Sequence, residues 1–240
     1  MNANLLKKLF DQIYIINLAE RTDRKREIGV QLEKVGLSLD DPVIRLFEAV
    51  RPASKGDFPS IGAHGCFMSH MGVLADAIAA DHSNILILED DVDWTPMALT
   101  GDPGRVSVLQ ETDWDYLHGG LGDDTATTAD CLRLEALEPE QIVYLAHFVG
   151  LRGEAIAKSH RFFAQMLERP AGSAEGGPMH LDGAYNWFRQ ANPEIRSYIC
   201  RPSLARQRSS KSDITPKTGV KALPVVSHVL SLARSLRKWI

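Results

Sequence analysis

The chain has 240 residues, a formal net charge of −4, 44% hydrophobic and 24% charged residues. That length holds one large domain or two small ones with a real core, and the balance is that of an ordinary globular protein without the basic excess of nucleic-acid binding. Cys66, Cys131 and Cys200 are too few and too scattered for a disulfide framework or a zinc site, no apolar run is long enough for a membrane span, and Met1 to Phe10 lacks the apolar stretch of a signal peptide; the expected setting is a reducing cytoplasm.

In chain order, Gln12 to Leu18 (QIYIINL) is rich in β-branched and aromatic residues and predicts the first strand. Glu20 to Lys34 is charged, with Ile28, Leu32 and Val35 at helical spacing. Pro42 to Val50 predicts a second strand, and Arg51 to Ile61, with Pro52, Gly56 and Pro59, a loop. Ser60 is placed to cap a helix over 62–80. Asn84 to Leu88 carries four consecutive aliphatic residues, Ile85 to Leu88, the mark of a buried strand.

Beyond it the pattern is less regular. Pro96 to Pro103 is predicted as loop, Asp115 to His118 as a short strand, and Leu121 to Asp130 as a polar surface loop. Gln141 to Val149 is predicted as a strand, Gly153 to Leu167 as an amphipathic helix, and Arg169 to Pro178 as a linker or lid. Leu181 to Ala191 is predicted helical and Ile195 to Cys200 as a strand. Strands alternating with helices predict an α/β domain over residues 1–215 with a mostly parallel central sheet flanked by helices.

The strand at 84–88 empties directly into Glu89, Asp90, Asp91 and Asp93. In open α/β sheets, ligands sit at the carboxyl ends of the strands. Crowded carboxylates there repel one another unless a cation is bound, and a hard divalent ion such as Mn²⁺ or Mg²⁺ takes oxygen ligands. The same residues also read as a solvated acidic loop.

Four segments carry a resemblance: Ile13–Leu18 followed by Glu20–Arg24, then Gly62–His70 (GAHGCFMSH), then Ile87–Asp91 (ILEDD), then Pro202–Gln207 leading to Ser212–Ile214. In this order and spacing, over about residues 12–214, the chain resembles glycosyltransferase family 25, which includes bacterial lipooligosaccharide galactosyltransferases and collagen galactosyltransferase domains. The resemblance implies a GT-A-like fold, a nucleotide-sugar donor (commonly UDP-galactose), a divalent metal, and inverting transfer to a saccharide or lipid-linked saccharide acceptor in lipopolysaccharide-type biosynthesis. By position it implies Asp91 as metal ligand, with Glu89, Asp90 and Gln207 toward the donor. Asn17 is placed to bond the base or ribose and Arg21 to reach phosphate, although 21–26 equally reads as a solvated helix start. His70 is expected near the donor if Gly62 and Gly65 let the backbone approach closely; a lone helical histidine is also often a packed one. The family's Pro-x-Asp element maps to Pro178–Asp182, which makes Asp182 the candidate general base and His180 a metal or phosphate contact; Asp182 is also a residue type favoured at an N-cap. Asp123 and Asp124 are further base candidates. Residues 146–153 depart from the family's Thr-x-Gly-Tyr-like stretch, and Pro202-Ser203 replaces its double proline.

Two other readings stand beside this. Asp91-Val92-Asp93-Trp94-Thr95 fits the nucleophile motif of haloacid dehalogenase-like phosphatases, but no lysine occurs between residues 56 and 157. The chain could also be a non-catalytic nucleotide-sugar-binding protein. Separately, no acid follows Asp213, and within 216–240 Val226, Val229, Leu230, Ala233, Leu236 and Ile240 share one helical face opposite Arg234 and Lys238, with Trp239 near the end. This predicts a helix lying on an anionic inner membrane surface or packing its stripe on protein.

Overall fold

In the computed structural model, residues 1–122 and 129–208 are described. Asp123 and Asp124 and the whole predicted tail helix fall outside the described residues. The elements run α1 (Ala3–Leu9), β1 (Gln12–Asn17), α2 (Thr22–Lys34), β2 (Ile44–Glu48), α3 (Ile61–Ala79), β3 (Asn84–Glu89) and β4 (Val92–Trp94). They continue α4 (Val108–Glu111), β5 (Tyr116–His118), β6 (Arg133–Ala136), β7 (Phe148–Arg152), α5 (Glu154–Leu167), α6 (Leu181–Ala191), β8 (Ser197–Arg201) and β9 (Ala205–Gln207).

Seven strands form one mixed sheet in the order β2-β1-β3-β7-β5-β8-β6. β1 pairs in parallel with β2 and β3, and β5 with β8, while β7 and β6 are reversed. The α/β expectation with a mostly parallel central sheet holds.

The two-residue period of the strands divides the core. Ile13 and Ile15 on β1, with Leu86 and Leu88 on β3, face the layer that holds Leu5 and Leu6 of α1 and Ile28 and Leu32 of α2. Tyr14 and Ile16, with Ile85 and Ile87, face Phe67, Val73 and Leu74 of α3, Phe163 of α5 and Phe188 of α6. Strands buried on both faces read as continuous apolar runs, which is why β1 and β3 were visible in sequence.

One predicted strand is displaced. Residues 141–146 are not in the sheet; β7 starts at Phe148. Side chains of α6 take the backbone of this segment: Asn186 bonds both the N–H and the carbonyl of Val143, Arg189 reaches the carbonyls of Glu138 and Gln141, and Leu145 stands at φ 68°. Val143 and the Gln141 carbonyl thus have side-chain partners in place of a ladder. The helices at 22–34, 154–167 and 181–191 lie where the periodicity put them. Ser60 does cap α3, its hydroxyl accepting from the Ala63 N–H at 3.0 Å.

Candidate functional site

The β1–β3 register places Ile16 opposite Glu89, so Asn17 and the acidic run emerge side by side at the carboxyl ends of two parallel strands. After Glu89 the chain turns into β4, which pairs antiparallel with β9 and aligns Val92 with Gln207 and Asp93 with Arg206. A residue pair separated by over a hundred positions thus meets at one strand end.

Each acid has its own company. Asp90 is buried and has both oxygens occupied: Asn17 Nδ2 donates to one at 2.7 Å and Arg24 Nη1 to the other at 2.8 Å. Glu89 faces the Cys66 thiol at 3.5 Å through Oε1 and accepts from Gln207 Nε2 at 3.2 Å through Oε2. The same Gln207 amide lies 3.3 Å from Asp91 Oδ2, with the Arg24 guanidinium 3.7 Å away. Asp91 Oδ1 is buried and has no hydrogen-bond partner. Asp93 is held by Gln31 at 2.7 Å and by two bonds from Arg208, which also pairs with Glu27.

The electrostatics register the crowding. Burial first, and the neighbouring Asp91 charge second, push the Glu89 carboxyl up to about 8. Burial also raises Asp91, against the pull of Arg24. Burial and like charge together disfavour ionisation of Glu89 and Asp91, an arrangement compatible with a bound cation. Asp91 keeps one carboxylate oxygen buried and unpaired, an atom suited to a hard cation, while the grouping of potential ligand atoms among the described residues is Cys66, His70 and Glu89.

The other expected residues are placed as follows. Arg21 lies at the start of α2 in a bidentate pair with Asp23, at 2.9 and 3.0 Å, and its carbonyl accepts from Asn17 at 3.3 Å. His70 is wholly buried on α3, its Nδ1 3.2 Å from the Tyr185 hydroxyl, and burial holds its pKa down to about 3. Gly65 brings α3 in close, since a Cβ there would stand 2.6 Å from the Val50 carbonyl oxygen. His180 is exposed at the N-cap of α6, and among the described residues no grouping of potential metal ligands joins it to Asp91. That leaves Asp182 inside the first turn rather than at the cap; its Oδ2 accepts weakly from Leu145 N–H at 3.4 Å. Asp182 lines a cleft of about 380 Å³ with Ile142, Tyr144, Asn186, Trp187 and Gln190, and its charge is felt at the Cys66 thiol.

Two neighbours of the acids, Arg24 and Cys66, carry no individual site role in the sequence. Arg24 lies in the run 21–26 that equally reads as a solvated helix start, yet it pairs with the buried Asp90 at 2.8 Å. Cys66 was set aside as a scattered thiol.

The structure is that of an α/β protein with a cluster of acids at the carboxyl ends of adjacent parallel strands. No family model matches the chain. By sequence it is similar to the inactive glycosyltransferase 25 family member 3 of Mus musculus, at 22% identity over 84% of this chain and 37% of that protein. The Homo sapiens protein of the same name is 26% identical over 46% of this chain and 22% of its own length. The chain therefore spans well under half the length of these relatives, and the resemblance to glycosyltransferase family 25 drawn from its motifs is met by them. Among solved structures, a glycosyltransferase involved in the glycosylation of the major capsid of PBCV-1 is similar with a TM-score of 0.48 and 12% identity, over 84% of this chain and 94% of that one.

Proposed function

We propose that the chain is a metal-dependent, inverting glycosyltransferase that moves a sugar, galactose from UDP-galactose, onto a saccharide acceptor in cell-surface glycan synthesis. The observation that carries this reading is the Glu89–Asp90–Asp91 run at the end of β3, with Asp91 Oδ1 buried and unpaired. Asp91 would hold the divalent ion, and Gln207 would steady Glu89 and Asp91 beside it. When bound, the ion supplies positive charge to the donor diphosphate and its leaving nucleotide.

Asp182 is the general base of this reading. It would take the proton of the acceptor hydroxyl as that oxygen attacks the anomeric carbon from the face opposite the leaving diphosphate. The adjoining cleft, with Tyr144 and Trp187 for the apolar face of a sugar and Asn186 and Gln190 for its hydroxyls, suits an acceptor. Asn17 and Arg21 flank the donor side. The tail over 216–240 would bring the enzyme to the inner face of the cytoplasmic membrane, where lipid-linked acceptors are made; no helix among the described residues is long and apolar enough to cross a membrane.

A second reading has an observation of its own. Arg24 already pairs with Asp90 and stands near Asp91, a fixed cation where a metal would act, and the curated relatives are named inactive. On that reading the chain binds a nucleotide sugar without turning it over. The phosphatase reading through Asp91 and Asp93 is less favoured, because Asp93 is tied to Gln31 and Arg208. One experiment separates the three: incubate the chain with UDP-galactose and Mn²⁺, with UDP-galactose and chelator, and with p-nitrophenyl phosphate. Metal-dependent release of UDP supports the transferase. Donor-induced thermal stabilisation without UDP release supports the binding protein, and phosphate release supports the phosphatase.

A further inference from the structure

We propose that Cys66, His70 and Glu89 form a second cation site, built for a thiophilic divalent ion of the zinc class and separate from the oxygen site at Asp91. Cys66 and His70 are four residues apart on α3, so they share one helical face, and Glu89 ends β3 against it. The Cys66 sulfur, a His70 ring nitrogen and a Glu89 carboxylate oxygen lie within 4.8 Å of one another. On a tetrahedral zinc ion with bonds of about 2.0–2.3 Å, ligand atoms are separated by roughly 3.3–3.8 Å. A contraction of about 1 Å brings the three atoms to bonding distance of one ion and leaves its fourth position to water or another small ligand.

The second observation is His70 itself. Its ring is wholly buried; Nδ1 meets the Tyr185 hydroxyl at 3.2 Å, and Nε2 is buried with no partner. A metal-bound histidine commonly gives its other N–H to an outer partner that fixes ring and tautomer. Tyr185 supplies that partner and leaves the Nε2 lone pair for the ion. Thiolate and carboxylate against a neutral imidazole balance a doubly positive ion, so the buried group carries no net charge. Sulfur and imidazole select softer ions than the all-oxygen set at Asp91. Glu89 joins the two places, with Oε1 toward Cys66 and Oε2 toward Gln207. A bound ion there anchors the end of β3 whether or not the chain transfers sugar.

The test uses untagged full-length protein, stripped with chelator, then dialysed against zinc and analysed by mass spectrometry for metal. In parallel, Co²⁺ is added and the near-ultraviolet thiolate-to-cobalt charge-transfer band is read. The expected result is one tightly held zinc per chain and a clear cobalt band, kept in Asp91→Asn and lost in Cys66→Ser. Wild-type protein that holds no zinc and gives no band overturns the proposal, as does a band that survives Cys66→Ser. If Cys66→Ser does not fold, the double variant Cys131→Ser/Cys200→Ala, with Cys66 as sole thiol, decides: a retained band supports the site and a lost band overturns it. Persistence of the site in a chain that fails to release UDP, or its absence in one that does, tells the fate of this inference apart from that of the transferase reading.

Discussion

Replacing Asp91 with asparagine separates two effects of one carboxylate. In the metal-free chain the charge of Asp91 is a burden: it helps push Glu89 up to about 8. The amide keeps the shape, Oδ1 has no hydrogen bond to lose, and Oδ2 gives up only contacts at 3.3 and 3.7 Å. Relief of like-charge crowding at a functional site should stabilise the chelated variant by roughly 1–2 kcal/mol, or about 2–8 °C in Tm for a domain of this size. With metal the order reverses. At a Mn²⁺ concentration 100 times its Kd the wild type gains about 2.7 kcal/mol, and a variant that cannot bind gains almost nothing. The two proteins should therefore cross: Asp91→Asn melts higher in chelator and lower in saturating Mn²⁺, and it loses transfer. Thermal melts in both buffers with a parallel UDP-release assay read this directly. A variant that is less stable in chelator, or that responds to Mn²⁺ as strongly as the wild type, refutes the metal role of Asp91.

Other outcomes follow from the same geometry. Asp182→Asn should cut turnover by about two orders of magnitude or more with donor affinity little changed; collapse of donor binding with turnover intact at saturation would make it a binding residue. His118 is buried, with Nε2 2.8 Å from the Leu145 carbonyl and Nδ1 accepting from Gly120 N–H, and burial holds its pKa down to about 4. Its folded value lies below the ordinary 6.5, so the stability tied to the neutral ring is present above pH 6.5 and is lost as pH falls toward 4, by at most about 3 kcal/mol. His118→Gln should flatten the fall of the urea midpoint over that window, and an unchanged slope would place the acid sensitivity elsewhere. Removal of residues 222–240 should leave a folded chain that no longer sediments with anionic vesicles; full-length protein that ignores such vesicles at low salt, or a truncation that unfolds, makes the tail a packing element.

The sequence by itself determined the elements whose cause is local. The runs at 12–17 and 84–89 are apolar because both faces of those strands are covered, and the helices at 22–34, 154–167 and 181–191 show their period because one face of each is covered. Serine at position 60 and four acids after a buried strand needed no partner elsewhere to be recognised. The segment at 141–146 misled for the converse reason: its composition suits a strand, but Asn186 and Arg189, more than forty residues on, take its backbone hydrogen bonds.

Only the tertiary structure decided which distant residues answer the acids. Arg24 looks like any charge on an exposed helix until the fold sets α2 with its guanidinium 2.8 Å from Asp90, and Gln207, expected toward the donor, bonds Glu89 because β9 pairs with β4. Cys66 and His70 sit four apart, a spacing any helix can show, and Glu89 joins them through the packing of α3 on the sheet. Period and propensity act over a few residues, whereas a site is closed by pairings across tens to hundreds, and those are fixed by burial and register in the folded chain.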